Sequence, residues 1–234
     1  MKTALAFLAA LLVIVPAATA APTCSMTTLD NYLTTNFSCA IDNLVFSNFS
    51  YSPSASPSGI AIPASGIEVT PLTLLGDEGF KFTSGWGVAT QANNISSFQD
   101  SAISFTVSTN DHSLSLTDLS LSFNGDFTGT GTTRVNESYC PGGAVSTCAG
   151  GAQVVSVTNP PLNLTSPNIV FTHPVSTLGI TKDIFVSSGT NGTAGASIVT
   201  NNFSNGGAVP EPASCLLIGG GLLGLGLLRR SRRA

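Results

Sequence analysis

Ala102-Ile103-Ser104-Phe105-Thr106-Val107-Ser108-Thr109 decides the fold. Ile103, Phe105 and Val107 alternate with Ser104, Thr106 and Ser108, so one face is apolar and the other carries hydroxyls. That two-residue period belongs to a half-buried strand. The same beat runs through Leu114–Phe123, where Leu114 and Leu116 give way to Leu119, Leu121 and Phe123. The phase slips at Asp118, which predicts a β-bulge. Upstream, Leu44–Tyr51 alternates and ends at a Pro53–Pro57 loop; Gly66–Leu75 and Gly79–Thr83 follow, with Gly76-Asp77-Glu78-Gly79 as the turn between them. Downstream, Asn124-Gly125-Asp126 reads as a turn and Phe127–Tyr139 as a Thr-rich strand. Val154–Val157, Ile169–Phe171, Ile184–Val186 and Ser197–Thr200 close the series. About ten short strands split by Gly, Pro and Asn turns predict an all-β antiparallel sandwich, jelly-roll-like in form. No fixed-period repeat supports the rival β-helix. Phe46, Phe105, Phe123 and Phe171 fall on inward faces and are the expected core.

One helix is expected before the first strand. In Thr28–Asn36, Leu29, Tyr32 and Leu33 stand at i, i+3 and i+4, with Thr28 as the candidate cap. Cys24 and Cys39 flank it, and Cys140 and Cys148 flank Pro141-Gly142-Gly143. Four cysteines allow three connectivities. The most local, Cys24–Cys39 with Cys140–Cys148, would pin a short N-terminal helical cap and a hairpin tip. Zinc is the competing use of cysteine, but no C-x-x-C or Cys/His cluster is present.

Both termini read as targeting segments. Lys2, the apolar run Ala4–Val15, Pro16 and the Ala18-Thr19-Ala20 site make residues 1–20 a secretory signal peptide, the substrate of a signal peptidase. The body, 21–208, then has the length of one domain. Residues 209–234 divide into a motif, Val209-Pro210-Glu211-Pro212-Ala213-Ser214, an uncharged stretch over 213–228, and a basic tail over 229–234 holding Arg229, Arg230, Arg232 and Arg233. Pro210 and Pro212 forbid helix and keep the motif extended. The arginines act as a stop-transfer signal on the cytoplasmic side. As a transmembrane helix, residues 213–228 would span about 24 Å, short of a hydrocarbon core of about 30 Å. Five glycines there each cost about 1 kcal/mol against Ala. A short, loosened span suits transient anchoring before cleavage.

In that order, Pro-Glu-Pro motif, apolar run and arginines resemble the PEP-CTERM sorting signal of Gram-negative bacteria that make exopolysaccharide. The resemblance implies an exosortase as processing enzyme and the cell surface or matrix as destination. The body looks like one group of PEP-CTERM proteins, through Cys24, Leu29 and Tyr32, Cys39 followed by Val45-Phe46-Ser47-Asn48-Phe49-Ser50-Tyr51, Ile103–Val107, and Glu137 with Cys140. That likeness implies no activity.

Composition excludes several functions. Without its targeting segments the body sets Lys81, Arg134 and Lys182 against eleven carboxylates, a net charge near −8. Such a surface repels nucleic acid and anionic lipid. Asp111-His112-Ser113 is a turn sequence and no triad, because neighbouring strand residues point to opposite faces. No G-x-S-x-G, H-E-x-x-H or phosphate loop occurs. Glu68, Asp77, Glu78, Asp100 and Glu137 could pair for glycoside hydrolysis, but no pattern selects two of them. Asp77-Glu78 and Asn124-Gly125-Asp126 offer oxygens to calcium without EF-hand spacing. No catalytic residue, metal or cofactor is therefore expected. The reading is a non-enzymatic surface protein. The alternative is a carbohydrate-binding module for the cell's own exopolysaccharide, with Trp86, Tyr51 and Tyr139 as the aromatics that would carry glycan.

Overall fold

The computed structural model describes residues 21–57, 59–74, 76–111 and 113–207. The expected signal peptide, sorting motif, apolar span and arginine tail lie outside the described residues.

The chain runs β1 (Thr27–Thr28), α1 (Leu29–Tyr32), β2 (Ser38–Ile41), β3 (Leu44–Ser56), β4 (Glu68–Leu74), β5 (Asp77–Ala89) and β6 (Phe98–Thr109). It continues through β7 (Leu114–Gly129), β8 (Thr132–Pro141), β9 (Gln153–Asn159), β10 (Ile169–Val175), β11 (Thr177–Ser187) and β12 (Gly192–Gly207). Two antiparallel sheets form, in the orders β1-β4-β5-β12-β7-β10 and β2-β3-β6-β11-β8-β9. From β5 onward each strand pairs with its mirror image in the sequence: β5 with β12, β6 with β11, β7 with β10, β8 with β9. Folding eight strands back on themselves in that way makes a jelly-roll. β1 and β4 widen one sheet at its β5 edge, and β2 and β3 widen the other at β6.

The core lies between the sheets and is rich in phenylalanine. Phe80 is fully buried, with ring centroids 4.6 Å from Phe46, 6.0 Å from Phe82 and 6.2 Å from Phe105. Phe46, Phe105 and Phe123 are buried as their periodicity requires. Phe171 is a correction. It packs at the rim, half-buried against Tyr139 at 6.1 Å, because its strand β10 is the outer edge of its sheet.

Other boundaries moved for identifiable reasons. The helix is one turn, and Thr28 makes no side-chain cap bond. What holds the turn is burial: Leu29 and Tyr32 close one end of the sandwich, and Tyr32 packs 5.6 Å from Phe80. Pro53 lies within β3 and not in a loop, opposite Ser101. Past Ser47 no β2 partner remains on the other side of β3, so the missing N–H costs no ladder bond. Asn124-Gly125-Asp126 is not a turn. It lies inside β7, where the β12 register shifts between Ala196 and Val199. Asn124 Oδ1 accepts from the N–H groups of Ser197 (3.0 Å) and Ile198 (2.6 Å), so its side chain does at a bulge what was expected of it at a turn. The chain reverses instead at Thr130-Gly131, after Gly129 at φ 54°. The Asp118 bulge is present: Ser204 pairs with Asp118 but Asn205 with Leu116, leaving Thr117 extra.

Candidate functional site

Both expected disulfides are formed, Cys24–Cys39 across 15 residues and Cys140–Cys148 across 8. The first ties the segment before α1 to β2, where Cys24 N–H also donates to Ala40 O at 2.9 Å. The second closes the loop between β8 and β9. β12, whose last residue is Gly207, leads into the sorting motif with only Ala208 before Val209.

The three aromatics considered for glycan binding turn inward. Trp86 on β5 is 2% exposed and donates from Nε1 to Ser101 Oγ at 3.1 Å. Tyr51 on β3 shares that Ser101 hydroxyl at 3.0 Å and donates to Ile62 O at 2.7 Å. Burial raises the Tyr51 pKa, partly offset by the Ser101 bond. The structure thus brings Trp86 and Tyr51 together around Ser101, as a polar link inside the sandwich. Tyr139 stands apart on β8, 4% exposed, with its hydroxyl on Gln153 Oε1 at 2.8 Å. A stacking platform needs ring faces open to solvent, and neither Trp86 nor Tyr139 offers one.

The five carboxylates do not converge on one cleft. Glu68 starts β4, Asp77 and Glu78 start β5, Asp100 faces outward on β6, and Glu137 points into the core from β8. Among the described residues no group of three His, Cys, Asp or Glu side chains could hold a metal ion.

Inside the sandwich lies a polar cluster that the sequence reading did not assemble. β11 presents Leu178, Ile180, Lys182, Ile184 and Val186 inward, β8 presents Val135, Glu137 and Tyr139, and β12 presents Val199, Asn201 and Phe203. Lys182, Glu137 and Asn201 each have 0% exposure. Lys182 and Glu137 are register partners on adjacent strands of one sheet. Asn201 meets them from the opposite sheet. Lys182 Nζ donates to Glu137 Oε2 and, at 3.1 Å, to Asn201 Oδ1. Asn201 Nδ2 donates to Glu137 Oε1 at 3.1 Å and to Ser120 O at 3.0 Å.

Burial lowers the Lys182 pKa, against the opposing pull of Glu137. An ammonium in so dry a place is favoured less than in water. The arrangement therefore sets an amine, a carboxamide and a carboxyl in mutual contact, shielded from solvent. The sequence held a signal for it. Lys182, Glu137 and Asn201 each interrupt an otherwise apolar inward row. Only the pairing of three distant strands shows that the interruptions coincide.

Two comparisons bear on identity. Residues 208–233 match the family model described as the PEP-CTERM protein-sorting motif. The match begins where β12 ends and leaves the sandwich outside it. No curated protein matches the chain.

Proposed function

We propose that this PEP-CTERM domain-containing protein, an exported chain sorted by exosortase, is a non-enzymatic component of the cell surface or extracellular matrix of a Gram-negative bacterium, laid down with its exopolysaccharide in biofilm. The observation that carries this reading is the junction at Gly207. The folded, disulfide-closed sandwich ends one residue before the sorting motif, so cleavage there releases the whole domain as product. Two body disulfides suit an oxidising compartment outside the cytoplasm. Signal peptidase removes residues 1–20, and exosortase acts near Pro210-Glu211-Pro212. Glu211 is the only charge between Asp183 and Arg229, hence the one electrostatic handle at the scissile region. Each arginine at 229, 230, 232 and 233 costs about 2.5–3.5 kcal/mol at the bilayer centre, so together they hold the tail during processing. The inward placement of Trp86 and Tyr139 supports a matrix protein over a carbohydrate-binding module.

Glu211→Ala tests the sorting step. The variant is expected to be exported but to stay in the membrane fraction with its tail attached, while released wild type lacks Cys215–Ala234 by intact mass. Release of the variant at the wild-type level, or a released wild type still carrying that segment, overturns the reading.

A further inference from the structure

The geometry points to an intramolecular isopeptide bond between Lys182 Nζ and Asn201 Cγ, formed autocatalytically in the folded core with Glu137 as proton relay. Such a bond would fasten β11 of one sheet covalently to β12 of the other. It is a single self-modification without turnover, so it goes beyond the sorting reading and does not depend on it.

Three observations support it together. Nζ lies 3.1 Å from Asn201 Oδ1, and the reacting carbon is one carbonyl bond further on. The side-chain amide torsion of Asn is broad and soft, so a modest rotation reaches the separation of about 3–3.5 Å typical of a near-attack geometry. Glu137 touches both ends of the exchange: Oε2 contacts the attacking nitrogen, and Oε1 is 3.1 Å from the leaving nitrogen. All three side chains have 0% exposure, so bulk water has no route to compete for the carboxamide. Amines barely attack carboxamides in dilute solution. Fixed partners reach effective molarities of roughly 10⁵–10⁸ M.

The step balances without any co-reactant. A proton first moves within the Lys182–Glu137 contact, turning ammonium and carboxylate into amine and carboxylic acid with no change in net charge. Burial of Lys182 favours that neutral form. The Nζ lone pair then adds to Cγ. Rotation of the Glu137 carboxyl carries its protonated oxygen round to Nδ2, whose position Ser120 O helps to hold; that oxygen delivers its proton to Nδ2 while the other takes one from Nζ. The Cγ–Nδ2 bond breaks and ammonia leaves. A primary amine and a primary carboxamide have become one secondary amide plus ammonia, and Glu137 is returned as the carboxylic acid. A network that is only structural would satisfy the same hydrogen bonds but would leave the mass unchanged.

The full chain, expressed with export and recovered folded, is reduced and digested for mass spectrometry. The expected peptide containing Lys182 resists trypsin at that residue and weighs one ammonia less than its sequence. A second protease cutting at Asp183 leaves the Lys182 and Asn201 fragments joined. Glu137→Gln, which keeps size and polarity but cannot relay the proton, is expected to restore the full sequence mass. Asn201→Asp is expected to lose one water in place of ammonia, a result that folding defects cannot imitate. Wild-type protein at full sequence mass, cleaved normally at Lys182, overturns the inference. So does an Asn201→Asp variant that folds with unchanged circular dichroism and keeps its water.

Discussion

Asp100 and Asp183 lie diagonally across the β6–β11 ladder on its outward face, since Asp100 pairs with Phe185 and Asp183 with Ala102. Burial first, then the neighbouring Asp183 carboxyl, pushes the Asp100 pKa from 3.8 up to about 7. Asp100 Oδ1 is buried with no hydrogen-bond partner, which disfavours the charged form of this carboxyl. Arg134, stacked 4.5 Å over the Phe185 ring, offsets the rise only in part.

The first prediction is a pH dependence. Between 3.8 and about 7 the folded state binds the proton more tightly than the unfolded chain. Stability from this group is therefore full below pH 4 and is lost as pH rises through 7. Urea midpoints at pH 5 and pH 8 should differ by less in Asp100→Asn than in wild type. An equal difference in both would count against the paired carboxyls.

Core phenylalanines should separate by burial. Phe80→Ala and Phe46→Ala each remove a fully buried ring and are expected to cost about 3–5 kcal/mol. Phe171→Ala, at the rim, should cost clearly less. Denaturant unfolding of the three variants checks the ranking.

The two disulfides should differ in weight. In the chain-entropy account, a loop of 15 residues stabilises by about 3 kcal/mol and one of 8 by about 2.5 kcal/mol. Replacing Cys24 and Cys39 by Ser should lower the melting temperature more than replacing Cys140 and Cys148, as calorimetry can read directly.

Asn124→Ala should destabilise the body by about 0.5–1.5 kcal/mol, because the Ser197 and Ile198 N–H groups at this exposed bulge exchange their side-chain acceptor for water. Asn124→Asp keeps the acceptor and should retain most of the stability.

The pattern of Ile103, Phe105 and Val107 was enough to fix strand, inward face and sandwich, because period-two burial is a local property. The Asp118 bulge was legible for the same reason. Asn124-Gly125 misled because turns and bulges ask for the same residues, and only the β12 partner tells them apart. The aromatics misled differently. Trp86 sits among glycines and serines in the sequence, and its burial comes from the sheet across the core. Lys182, Glu137 and Asn201 were visible singly as polar residues in apolar rows. Their meeting depends on β8, β11 and β12, separated by up to 64 positions. The sorting segment alone could be read whole, since its order along the chain is its message.

The central position of β12 has a mechanical consequence. It is hydrogen-bonded along most of its length to β5 on one side and β7 on the other, and the sorting segment continues from it. Tension transmitted from a membrane-held tail therefore loads two ladders in shear at once and cannot unzip an edge. At the opposite terminus, the two-residue strand β1 offers little resistance of that kind. Cys24 precedes β1, so a pull on the amino end passes through Cys24–Cys39 into β2 and spares β1, while the tethered strand β12 holds the other end.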